Sequence, residues 1–204
     1  AGKKTELAIR ISLIIGLPAA FGLFTLSGPI MKFMYPAEPA SLGTALRYLS
    51  MAVVFLTLTQ TMTGILQGMG RERVPVTNLV VGALVKAAVS YTLTSIPIIN
   101  IRGAALGTVS GYAVTAVLNM RAIVKEQKSS MRLSKIIGKP LIATVVMSAA
   151  AYFSYKFIFS ISGSNGISTL SSIGFAAIVY GIVLVLIKGI TREEIEMAPG
   201  GKKL

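Results

Sequence analysis

One lysine stands where apolar sequence surrounds it: Lys86, inside the run from Val76 to Ile96. An ammonium at the centre of a bilayer helix costs roughly 2.5–3.5 kcal/mol on insertion scales, so such a residue has a partner or a task. Spaced by fours around it lie Asn78, Gly82, Ser90 and Thr94. Residues four apart share one face of a helix. The run therefore carries a stripe of polar and small side chains with a cation at its centre, and Leu79, Val80, Leu84, Val85, Val89 and Leu93 cover the rest. This pattern predicts lipid or packed protein on one side and a wet, polar space on the other. Lys86 then meets an anionic substrate or a phosphate. The competing reading is a structural lysine that snorkels or is neutralised by a partner.

Other polar groups fall into two classes. Gln60, Thr63, Gly64 and Gln67 share a face of the preceding run, with Thr57 and Thr61 beside them. They either line the same cavity as Lys86, Asn78 and Ser90 or bond between helices. Arg10 is a snorkelling anchor or a further cavity group. Gly103, Gly107 and Gly111 fall four apart and are continued by Thr115 and Asn119, which is a surface for close helix packing. Gly70, Arg71 and Arg73 make a short basic turn.

Several chemistries lack their parts. The chain has no histidine, cysteine or aspartate, and its seven glutamates all fall in loops or near the ends. Nucleophilic triads, ordinary metal sites and paired intramembrane carboxylates are therefore not expected, and neither is a cofactor or an enzymatic activity.

The elements that position these residues follow from composition. The chain has 204 residues, 53% of them hydrophobic and only 13% charged, against about 25% charged in soluble domains. A bilayer core about 30 Å thick needs around 20 apolar residues at 1.5 Å rise each. Six segments qualify: 7–33, 45–67, 76–96, 103–118 (extendable to Ile123), 140–159 and 167–187. The fold class is all-α, a polytopic membrane bundle of six helices. Pro18 removes a backbone donor inside the first helix, a gap that a neighbouring helix or a water must fill.

Orientation follows from the connections. The net charge of +13 would suit nucleic acid, but the basic residues sit between apolar runs, without interleaved aromatics, so no nucleic-acid partner is expected. Fifteen lysines and arginines lie on the side of the chain's two ends and four on the other, Lys32, Arg47, Arg102 and Lys156. The positive-inside rule makes the first side cytoplasmic. The organisation reads as four membrane helices over 1–124, a basic cytoplasmic connector over 125–139, and two further helices with a tail over 140–204; the polar gap from Asn119 to Lys139 reads as a helical extension plus an amphipathic segment on the cytoplasmic surface. Thr191 and Glu194 have capping-box spacing, predicting a short surface helix in the tail.

The run ILQGMGRERVPVTNLVVGALVK, Ile65 to Lys86, followed by IPIINIRGAALGTVSGY, Ile96 to Tyr112, resembles the polysaccharide-transporter branch of the multidrug/oligosaccharidyl-lipid/polysaccharide exporter superfamily. Within it, the likeness points to the stage V sporulation protein B group. The stretches ISLIIGLPAAFGLFTLSGPIMKFMY and EEIEMAPGGKKL look similar too, so the resemblance covers nearly the whole chain. It implies a MATE-like transporter of fourteen helices, two six-helix lobes and two extra helices, of which these six would be the last. It further implies flipping of a lipid-linked oligosaccharide, polysaccharide or peptidoglycan precursor across the bacterial plasma membrane. The partners would be that anionic lipid-linked saccharide, membrane lipids and the parent protein's remaining N-terminal helices. The alternatives are a multidrug or cation antiporter of the same superfamily, or a non-transporting membrane scaffold or assembly subunit.

Overall fold

The computed structural model describes residues 2–37, 41–99, 101–127 and 133–187. They form six helices: α1 Gly2–Met34, α2 Ser41–Gly68, α3 Arg73–Thr94, α4 Ile101–Gln127, α5 Leu133–Ser162 and α6 Asn165–Leu186. Each is long and apolar enough to cross a membrane. Each is also apolar on most of its circumference, which suits a helix with lipid on its outer face rather than water. Ile178, Phe153 and Leu186 are among the many large apolar side chains left exposed, Leu186 at 74%. The chain is a multi-pass membrane protein.

The sequence places the helices well, and the differences have local causes. α4 runs on to Gln127 because nothing between Leu118 and Gln127 breaks a helix. α5 begins at Leu133 and carries Pro140 inside it, so 133–139 is continuous with the helix that follows. The proposed tail helix at 191–204 lies outside the described residues.

Two turns depend on glycine. Gly70, at φ +73°, ends α2. Its N–H bonds the Gln67 carbonyl at 2.9 Å and the Arg71 N–H bonds the Leu66 carbonyl at 2.9 Å. That pair of bonds is the Schellman arrangement, and a Cβ would resist the left-handed φ it requires. Gly163, at φ +63°, closes α5 with a single bond, its N–H donating to the Phe159 carbonyl at 3.0 Å.

The helices form a row: α3 on α4, α4 on α2, α2 on α1, and α1 on the α5–α6 pair. Ile9, Leu13 and Leu17 of α1 form one buried cluster, packed against Leu58 and Ile65 of α2 and Met120 of α4. Met62 and Leu66 of α2 meet Ala116 and Ile123 of α4 in another. Leu26 of α1 joins Met147 and Ala151 of α5 and Ala176 of α6 in a third. α3 stands at the edge of the row, so Val76, Val80, Leu84 and Tyr91 are exposed.

The gap left by Pro18 is filled from α6. Proline removes the N–H that would bond the Ile14 carbonyl four residues back. The Tyr180 hydroxyl donates to that carbonyl at 2.7 Å. A proline that would leave an orphan acceptor in lipid is thereby satisfied by another helix.

Candidate functional site: the α3–α4 seam

The stripe around Lys86 meets the glycine stripe of α4. A Cβ placed on Gly103 would lie 2.7 Å from the Leu93 carbonyl carbon and 2.8 Å from the Thr94 nitrogen. One on Gly107 would collide with the Ser90 hydroxyl and lie 3.0 Å from the Lys86 carbonyl oxygen. One on Gly111 would lie 2.8 Å from both the Gly82 carbonyl oxygen and the Lys86 Cβ. Gly82 in turn faces the Thr115 hydroxyl and the Gly111 carbonyl. The two backbones touch through glycine on both sides, which is how helices associate where the hydrophobic effect is absent.

At one end of the seam lies a polar network across three helices. Asn78 Nδ2 donates to Asn119 Oδ1 at 2.9 Å, and Asn119 Nδ2 donates to the Thr63 hydroxyl of α2 at 3.4 Å. Thr115 donates to the Gly111 carbonyl at 2.9 Å and reaches the Asn78 carbonyl at 3.4 Å. Asn119 is fully buried, so its amide must be bonded on both sides to be tolerated.

Lys86 itself is exposed. Its root is held against Gly111, and it lines a cavity of about 170 Å³ together with Leu79, Thr108, Tyr112 and Thr115. The described carboxylates, Glu6, Glu72 and Glu126, all stand at helix ends. The described ion pair, Arg71 with Glu126 at 2.5 Å, also lies at an end of the bundle. Among the described residues Lys86 thus carries a mid-helix charge with no carboxylate beside it.

The predicted site residues divide accordingly. Asn78, Ser90 and Lys86 share the seam with Gly103, Gly107 and Gly111, but Asn78 and Ser90 are turned to α4 and only Lys86 has its charged end outside. Gln60 and Gln67 are exposed on α2, while Thr63 between them joins the network. Arg10 is half-buried on α1, separated from α3 by α4 and α2 in the row. Sequence reasoning placed Asn119 at the end of a packing stripe and missed that it is the hub of the network. The signal available was its type, since a buried amide demands several partners.

Residues 1–92 match the MatE family. Over 99% of its length the chain is 28% identical to the uncharacterized membrane protein YabM of Bacillus subtilis (strain 168), and over 96% it is 25% identical to stage V sporulation protein B of the same organism. These likenesses agree with the resemblance to the multidrug/oligosaccharidyl-lipid/polysaccharide exporter superfamily. A third relative, the lipid II flippase MurJ of Bacillus subtilis (strain 168), is 28% identical over 72% of the chain. The matches span 38%, 37% and 26% of these three relatives, so the chain corresponds to less than two-fifths of each. No solved structure matches the chain. The glycine seam crosses the boundary of the MatE match, since α3 lies almost wholly within it and α4 beyond it.

Proposed function

We propose that this chain supplies the C-terminal helices of a flippase that moves a lipid-linked oligosaccharide, polysaccharide or peptidoglycan precursor across the bacterial plasma membrane. Both ends of the chain would face the cytoplasm. The observation that carries this reading is Lys86: a cation in the middle of a membrane helix, exposed, beside the Thr108 and Tyr112 side chains and without a described carboxylate. A charge so placed is costly unless an anion or water meets it. A diphosphate head group crossing along α3 would supply the anion, while its lipid tail remains in the bilayer. Kinship with stage V sporulation protein B and the lipid II flippase MurJ supports the substrate class. Cation antiport is disfavoured because the described carboxylates stand at helix ends, away from any mid-membrane position where they would bind and release ions.

In this role the α3–α4 seam is a rigid mount. The backbone contacts at Gly82, Gly107 and Gly111 fix the Lys86 Cα, and its flexible stem carries the charge. The test is flipping of a lipid-linked precursor in vesicles by the complete parent protein. Lys86→Ala is expected to lower the rate by about tenfold or more, the loss of one charge-assisted contact, while Lys86→Arg retains most of it. Unchanged flipping in a correctly inserted Lys86→Ala variant would make Lys86 structural and move the head-group contact elsewhere.

A further inference from the structure

The recess beside Lys86 offers a ligand more than one charge. Leu79, Ala83 and Lys86 fall four and three residues apart on α3 and share a face. Thr108 and Tyr112 fall four apart on α4 and make the opposite wall. Between the walls lie Gly82 and Gly111, where the two backbones touch: a Cβ on Gly82 would lie 2.6 Å from the Gly111 carbonyl oxygen. Two missing side chains and the single methyl of Ala83 keep the space open. Its volume of about 170 Å³ is below the roughly 300–1,000 Å³ of pockets that enclose a whole small-molecule ligand. A saccharide head group does not fit inside it, whereas one phosphoryl group does.

Three hydroxyls line the recess, and their protons are not equally free. Thr108 donates to the Ala104 carbonyl at 3.1 Å and Thr115 to the Gly111 carbonyl at 2.9 Å. The Tyr112 carbonyl accepts from Thr59 at 3.5 Å, but the half-buried Tyr112 side chain makes no hydrogen bond to any described residue. The Lys86 ammonium makes none either. Lys86 is the fourteenth residue of α3, about 20 Å along the helix from its start, a depth at which unmet donors are costly. Two unmet donors, one of them cationic, thus share a small recess that no described carboxylate lines.

We propose that this recess is a subsite for a single phosphoryl group and that Tyr112 is its second ligand. Lys86 meets the charge, and the Tyr112 O–H donates to another oxygen of the same group. The inference rests on the flippase reading and narrows it: this chain recognises one phosphate, and the saccharide lies beyond the recess. Two sources carry that chemistry, the head group of a polyprenyl-linked precursor and free inorganic phosphate. The observations favour the lipid, because the recess lies within a membrane helix pair.

The experiment is lipid titration of the complete parent protein in detergent micelles, read by native mass spectrometry. The probes are polyprenyl diphosphate, polyprenyl monophosphate and, as the phosphate-free control, polyprenol. The two phosphate lipids are expected to bind within about threefold of each other and polyprenol at least about tenfold more weakly. Tyr112→Phe keeps the ring and removes the donor, so it weakens both phosphate lipids by about tenfold and leaves the unfolding midpoint unchanged. Ala83→Leu, at an exposed position, fills the recess without altering its charge and weakens them at least as much. Tyr91→Phe, on the same helix but outside the recess and 78% exposed, leaves binding within about twofold. A neutral Tyr112→Phe beside a weakened Lys86→Ala overturns the subsite and leaves the flippase reading standing; a neutral Lys86→Ala removes both. A diphosphate bound more than about tenfold tighter than the monophosphate, or an equal loss in Tyr91→Phe, also overturns it. Inorganic phosphate separates the sources. Displacement of polyprenyl monophosphate at equal concentration assigns the recess to the free anion and overturns its part in lipid recognition, while retention of the lipid supports it.

Discussion

Small residues do opposite things in two parts of this bundle. Along the α3–α4 seam, Gly82, Gly103, Gly107 and Gly111 bring two backbones into contact and leave no room for a Cβ. Along the wall shared by α1, α5 and α6, Pro18, Gly22, Ala151, Ala176 and Ala177 surround an apolar cavity of about 350 Å³. The nearest atom to a Cβ on Gly22 would be the flexible Met147 Cε at 3.8 Å. The difference lies in what faces the small residue. Glycine opposite a neighbouring backbone closes a gap, while glycine opposite a long side chain such as Met147 keeps one open. Specificity differs too: the seam is locked by amides and hydroxyls, and the cavity wall by packing and the Tyr180 hydroxyl.

The sharpest way to break this comparison is to fill both. Gly107→Val forces a branched side chain onto Ser90 and the Lys86 carbonyl and is expected to destabilise by about 3 kcal/mol or prevent insertion, whereas Gly22→Val costs under about 1 kcal/mol. Unfolding of each variant in mixed micelles reads the two costs, and equal values would erase the distinction. A milder cut removes the lock: Asn119→Leu leaves Asn78 and Thr63 without their amide partner, and a loss of about 1–2 kcal/mol is expected in the same assay. Tyr180→Phe strips the donor from the Ile14 carbonyl and keeps the ring, for an expected loss of about 1 kcal/mol. If it is neutral, water serves Ile14 as well as the hydroxyl does. Smallest is Glu126→Gln. Its pair with Arg71 is 34% and 58% exposed on its two sides, so the change should stay below about 0.5 kcal/mol and vanish in high salt.

Much of this was legible in the sequence, for identifiable reasons. Runs of about 20 apolar residues admit one structure in a bilayer, so all six spans were found. Their ends moved where polar but helix-competent sequence, such as Asn119 to Gln127, extends beyond the apolar part. The need for a donor at Pro18 was also legible, but Tyr180 as its source was not, because 166 residues separate it from Ile14. The stripe at Asn78, Gly82, Ser90 and Thr94 was read as the wall of a wet space. In the structure most of it is turned to α4, and only the end of Lys86 escapes. A stripe of small and polar residues suits both a narrow wall and a close neighbour, so one helix alone does not discriminate. The clue was a second stripe of the same spacing on the next helix. Arg47 was legible only as a flank charge, since its place over Phe24 depends on how α1 and α2 meet.

The bond from Tyr180 to Ile14 also sets an order in time. At a synthesis rate of roughly 5–20 residues per second, the donor reaches the membrane about 8–33 s after the acceptor, given the 166 residues between them. Throughout that interval α1 sits in the bilayer with its backbone ladder incomplete at Pro18, held by water or by the insertion machinery. The first helix is thus finished by the last. A nascent chain stopped before α6 leaves α1 wetter and easier to bend than the finished bundle allows.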